Sequence, residues 1–262
     1  MAYRVPRIKF CGITNLADAE LAVADGAWAI GLILWPESKR ACDPAEAARI
    51  SARLRRQVEI AGVFVNQTLD EVERLADTIG LSLIQLHGDE GPSYANEVAR
   101  RTGAKVIKSA SVRLASDVVA IQAFHTDFHL LDTHSETLRG GTGETFDWDM
   151  VSRRYSKIPL ILSGGLTPDN VVEAITKVHP FAVDVASGVE ASPGIKDPIK
   201  MKAFADAVRS TAAEGEDVEP LPGPRPSEMA AEAAAESAAA APPAGRGSPV
   251  RPPAAATEAP GA

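Results

Sequence analysis

The sequence predicts an α/β fold of the (β/α)8 TIM-barrel class, and three observations predict it. Short runs of β-branched and apolar residues recur along the chain, with the near-continuous apolarity of parallel strands buried on both faces. Amphipathic segments carrying helix start and stop signals lie between them. Eight such strand–helix units fit into about 200 residues, the small end of the range for this barrel. An open doubly wound sheet is the structural competitor on pattern alone.

The strands are expected at Ile8 to Cys11, Ala29 to Leu34, Ile60 to Val65, Leu83 to His87, Val106 to Ser109, Phe128 to Asp132, Leu160 to Ser163 and Ala182 to Ala186. Among the helices, Thr68-Leu69-Asp70-Glu71 has capping-box spacing. Leu69, Val72, Leu75, Ala76 and Ile79 form its apolar stripe, and Gly80 is placed to end it. Asp43-Pro44 offers a second cap with proline at the first helical position, and Thr167-Pro168 a third.

After about Thr211 the periodic pattern gives way to Ala, Pro, Glu and Gly. Such a segment cannot bury enough apolar surface to offset its ordering entropy. Residues 4–211 are therefore expected to form the catalytic domain and 212–262 a disordered tail. The 262 residues are 45% hydrophobic and 24% charged, as in a soluble globular protein. A formal net charge of −8 provides no general basic surface for nucleic acid or anionic lipid. The N-terminal residues lack a signal-peptide core and no stretch is apolar enough for a membrane span, so a cytoplasmic location with no membrane partner is expected. Cys11 and Cys42 lack metal spacing and are expected to be free thiols.

In this fold the active site lies at the C-terminal ends of the strands. Polar residues closing the apolar runs are thus candidates: Cys11, Arg40 in the second loop, His87, Asp132, Gly164-Gly165 and Ser187-Gly188. The glycine turns ending the last two strands can bring backbone N–H groups close to an anion, because no Cβ intervenes. The seventh and eighth loops form this fold's usual phosphate site, so the pair predicts a small-molecule phosphorylated ligand, whereas either turn alone reads equally as a tight bend. Cys11 is a small buried apolar residue or, with a neighbouring positive charge to lower its pKa, a base. Asp132, facing an apolar mouth, can retain a proton and act as a general acid. His125 and His129 lie at the opposite end of the barrel from His87 and His134, and no third ligand stands at recognised spacing. Neither a metal nor another cofactor is expected.

In their order and placement the motifs resemble those of the phosphoribosylanthranilate isomerase family, from about Lys9 to Phe204. They are Lys9-Phe10-Cys11-Gly12-Ile13-Thr14, Ser38-Lys39-Arg40, Gly62-Val63-Phe64-Val65-Asn66, Gln85-Leu86-His87-Gly88, Leu131-Asp132-Thr133, Gly140-Gly141-Thr142-Gly143, Ser163-Gly164-Gly165-Leu166, Ser187-Gly188-Val189-Glu190 and Pro193-Gly194-Ile195-Lys196-Asp197. The resemblance implies an Amadori rearrangement in tryptophan biosynthesis, with Asp132 as acid and Cys11 as base. It makes Arg40 the holder of an anthranilate carboxylate, a residue otherwise read as a solvated loop arginine. It adds Gly141 to the phosphate or covering contacts, leaves His87 shaping the pocket, and is compatible with a monomer or homodimer. Lys39, where the family commonly has proline, and Phe10, where Ile or Val is frequent, are small departures. A histidine-pathway aminoaldose isomerase carries aspartate where Cys11 stands, and indoleglycerol phosphate synthase needs lysine and glutamate groups not placed here. A non-catalytic binding barrel is the alternative from another class.

Overall fold

The computed structural model describes residues 5–132, 148, 151, 154 and 156–212. Gly141, His134 and the tail from residue 213 onward lie outside the described residues, so the expectations for them stand as made. Eight parallel strands are paired in chain order and closed by β8 on β1: β1 (Arg7–Cys11), β2 (Ala29–Ile33), β3 (Glu59–Phe64), β4 (Leu83–Leu86), β5 (Lys105–Ser111), β6 (Phe128–Asp132), β7 (Leu160–Ser163) and β8 (Ala182–Val185). The closed ring decides against the open doubly wound sheet.

Helices α1 (Leu16–Ala24), α2 (Pro44–Leu54), α3 (Leu69–Ile79), α4 (Pro92–Thr102), α5 (Ala115–Ala120), α6 (Val171–Val178) and α7 (Pro198–Arg209) follow strands in the chain. Asp43 and Thr68 cap α2 and α3 as their sequences predict. The Asp43 carboxylate accepts from the N–H groups of Ala45 and Glu46, and the Thr68 hydroxyl from that of Glu71. Gly80 ends α3 in the left-handed region at φ +73°. The expected cap at Thr167-Pro168 is displaced: Pro168, Asp169 and Asn170 form a turn, and α6 begins at Val171. The Asn170 side chain accepts from Thr167 N–H (2.8 Å) and donates to the Gly165 carbonyl (3.0 Å). It therefore fastens the seventh loop rather than capping the helix.

The strands have two buried faces, which accounts for their near-continuous apolarity. Outward residues such as Phe10, Ile30, Leu32, Phe64, Leu86 and Leu131 pack in the layer shared with the helices. A second, smaller core of Ala29, Ala61, Leu83, Ile107, Leu130, Ile161 and Ala182 fills the barrel over Trp28 and Phe128. Trp28, Phe128 and Phe181 meet with ring centroids 5.3 to 5.4 Å apart, and the Arg7 guanidinium lies over Trp28 and Phe181. This plug closes the N-terminal end. Further along the strands, Lys9, Gln85, Ser109, Ser163 and Asp184 are also buried, so a polar layer lies between the apolar floor and the barrel mouth.

Candidate active site

Cys11 ends β1 and is 6% exposed. Two residues earlier on the same face of the strand, the Lys9 ammonium donates to Asp184 on β8 at 2.7 Å and is coupled electrostatically to Cys11. The second Asp184 oxygen accepts from the Ser163 hydroxyl at 3.1 Å. Burial pulls Lys9 toward neutrality, but Asp184 and Cys11 together outweigh it and hold the ammonium above its ordinary pKa. The positive neighbour that Cys11 needs is thus present, yet its expected effect is not reached. Burial pushes the Cys11 thiol up, and the pull of Lys9 and Lys196 the other way does not offset it.

Asp132 ends β6, paired with Ser111 on one side and Ser163 on the other. His87 is the first residue past β4, and its Nδ1 lies 3.0 Å from Gln85 Nε2. Burial lowers the His87 pKa, Asp132 and Asp184 raise it in part, and Lys9 and Lys108 oppose them. His87 is therefore neutral near pH 7. A cavity of about 430 Å³ reaches His87 from the β4–β5 side, where Glu90, Lys108, Ser111 and Phe124 line it, and does not extend to Cys11 or the glycine turns.

The turns after β7 and β8 do come together. Gly164 and Gly165 have φ of +103° and +64°, which favour glycine. Residues Ser187–Val189 form one 3-10 turn, and a Cβ on Gly188 would overlap the Leu166 carbonyl. The bare backbone at Gly188 is what allows the two loops to touch. His129, by contrast, is remote from these groups: Phe124 O and Arg154 Nη2 take its two ring nitrogens. Among the described residues no three His, Cys, Asp or Glu side chains are grouped to hold a metal.

Arg40, whose alternative reading was a solvated loop arginine, is held by a partner: its Nε and one terminal nitrogen grip the buried Glu190 carboxylate at 2.8 to 3.0 Å. Glu190 opens a hairpin of β9 (Glu190–Ser192) and β10 (Ile195–Lys196), which the sequence reading did not place. Buried Lys196 returns from β10 to donate to Glu190 (3.1 Å), the Cys11 carbonyl (2.7 Å) and the Ala186 carbonyl (3.1 Å). Burial pushes the Glu190 carboxyl up, but Arg40 and Lys196 hold it below its ordinary value. The hairpin therefore links the second loop to the ends of β1 and β8. Lys9, Asp184, Glu190 and Lys196 were missed as site residues. The legible signal was a charge inside an apolar strand run, as in Ile8-Lys9-Phe10 and Val183-Asp184-Val185.

A family model described as N-(5'-phosphoribosyl)anthranilate (PRA) isomerase matches residues 8–207, nearly the whole span of strands and helices. The chain belongs to this phosphoribosylanthranilate isomerase family. A relative from Citrifermentans bemidjiense, named N-(5'-phosphoribosyl)anthranilate isomerase, is 47% identical over 196 residues, 75% of this chain and 93% of its own. The crystal structure of phosphoribosyl anthranilate isomerase from Thermotoga maritima is 41% identical with a TM-score of 0.70, over 78% of this chain and 99% of that one. A further structure of a phosphoribosylanthranilate isomerase is in complex with reduced 1-(o-carboxyphenylamino)-1-deoxyribulose 5-phosphate. It is 39% identical with a TM-score of 0.68, over 78% of this chain and 99% of that chain.

Proposed function

We propose that this chain converts N-(5-phosphoribosyl)anthranilate to 1-(2-carboxyphenylamino)-1-deoxyribulose 5-phosphate in tryptophan biosynthesis. Membership of the family carries the reading, and the positions of Cys11 and Asp132 at the C-terminal ends of β1 and β6 support its chemistry. Among the described residues no helix is long and apolar enough to cross a membrane.

The reaction is an internal redox exchange that needs only proton movements. Asp132 gives a proton to the ribose ring oxygen; the bond from C1 to that oxygen breaks, and the anthranilate nitrogen lone pair forms a protonated C1=N Schiff base. The Cys11 thiolate then takes the C2 proton. The C–H electron pair becomes the C1=C2 bond and the C=N pair returns to nitrogen, giving an enolamine and a neutral thiol. Loss of the C2 hydroxyl proton and protonation at C1 yield the ketone, with no atom gained or lost. General acid and base assistance contributes about 10² to 10⁴ to each proton transfer.

The touching turns at Gly164-Gly165 and Ser187-Gly188 hold the phosphate in this reading, with Gly141 in the sixth loop adding to the cover. Arg40 offers the anthranilate carboxylate the end of its guanidinium that Glu190 does not occupy. Neutral His87 shapes the wall near Asp132. Residues 212–262 take no part in catalysis, and 4–211 are the catalytic domain.

The deciding assay is turnover of freshly generated substrate by Cys11→Ala and Asp132→Asn. Each variant is expected to lose nearly all turnover while binding the reduced product analogue as the parent does, because both groups move protons rather than anchor the ligand. Near-normal turnover in either variant removes that residue from the mechanism.

A further inference from the structure

We propose that Lys9 is a positioning residue for the isomerisation: held inside the barrel by Asp184, its ammonium sets the charge state and direction of the Cys11 sulfur. The inference rests on the reading of Cys11 as the base.

Lys9 is wholly buried, with Ala29, Ala61, Leu83, Ile107 and Leu130 filling the barrel below it. Desolvating an ammonium is costly and packing does not require it, since these neighbours fill the interior with apolar groups. Its ammonium donates to Asp184, and Cys11 is its other charged partner. Gly31 on β2, paired with Cys11, makes the meeting possible. A Cβ there would stand 2.7 Å from the Cys11 sulfur and 3.0 Å from the Lys9 nitrogen. The space of one absent methyl group is therefore shared by the two atoms.

Charged groups approach Cys11 from every element packed around it. Lys9 comes from its own strand, Asp184 from β8, Lys196 from the β9–β10 hairpin and Arg40 from the loop after β2. Lys196 spends its donors on Glu190 and on the backbone oxygens of Cys11 and Ala186, while Arg40 grips Glu190. Lys9 is the cation whose nitrogen shares with the sulfur the space beside Gly31. Asp184 gives the Lys9 ammonium a counter-charge while the sulfur is protonated. When the sulfur takes the C2 proton of the substrate, Lys9 remains paired with Asp184, so neither protonation state leaves a buried cation alone.

The test is a titration of the Cys11 thiolate by ultraviolet difference absorbance against Cys11→Ala, together with the pH profile of kcat/KM. Cys42 does not interfere, because burial, Glu46 and Asp43 push its thiol up to about 12. In Lys9→Met the titration and the acid limb of kcat/KM are expected to move up by about one unit or more, with roughly a tenfold loss of kcat/KM at pH 7 that is regained in alkali. Asp184→Asn keeps the side-chain shape and removes the charge that opposes the thiolate, so its titration is expected to move down. If Lys9→Met does not fold, Lys9→Met/Asp184→Asn removes both charges, and its titration is expected to lie above that of Asp184→Asn. Superposed titrations, or shifts of the same sign in Lys9→Met and Asp184→Asn, overturn the proposal. Turnover surviving in Cys11→Ala instead overturns the assignment of the base.

Discussion

Arg40→Ala separates substrate orientation from phosphate anchoring, and the structure supplies the magnitudes. The side chain makes a bidentate contact to Glu190 and is 28% exposed, so the loss to folding is that of a partly screened charge-assisted pair. Glu190 keeps Lys196 and the Gly194 N–H as partners, which prevents an orphaned buried carboxylate. A stability loss of about 1.5 to 3 kcal/mol follows, or roughly 3 to 12 °C in Tm for a domain of this size. In catalysis, the lost hydrogen bonds to the substrate carboxylate are worth a similar amount, one to two powers of ten in kcat/KM. The expected pattern is a raised KM, some loss of kcat as the substrate swings away from Cys11, and partial recovery in Arg40→Lys. Steady-state kinetics should be run with inorganic phosphate as competitive inhibitor, and its Ki should hardly change. If phosphate affinity falls as far as kcat/KM, Arg40 is a phosphate ligand or a purely structural residue, and the orientation argued for the substrate is wrong.

Gly188→Ala should force apart the backbones of the seventh and eighth loops, because its Cβ meets the Leu166 carbonyl. A stability loss of about 1 to 3 kcal/mol and a weaker phosphate Ki are expected, and calorimetry with inhibition kinetics checks both. Since the thiol of Cys11 is pushed above its ordinary range, the thiolate fraction grows with pH. The kcat/KM of the parent should therefore climb from about pH 7 to pH 9; a flat profile over that window would show that thiolate formation does not limit turnover. Deletion of residues 212–262 should leave Tm and turnover nearly unchanged, and a large drop in Tm would show that the tail docks.

Much of the fold is legible because its signals are local. Two-sided burial makes the strands apolar, and capping chemistry at Asp43 and Thr68 acts within three residues. The glycine turns after β7 and β8 announce themselves in the same way, and Cys11 and Asp132 stand where apolar runs stop. The displaced start of α6 shows the limit, since Asn170 serves the seventh loop rather than the helix. The sequence by itself determined the eight barrel strands, the strand ends proposed to carry chemistry, and the family to which the motifs point. Only the tertiary structure decided which charges meet: Lys9 with Asp184 across 175 positions, Arg40 with Glu190 across 150, and Lys196 with the Cys11 carbonyl across 185. Barrel closure brings β8 and the hairpin that follows it against β1. A buried charge becomes affordable only when its distant partner arrives, and no local pattern records that arrival.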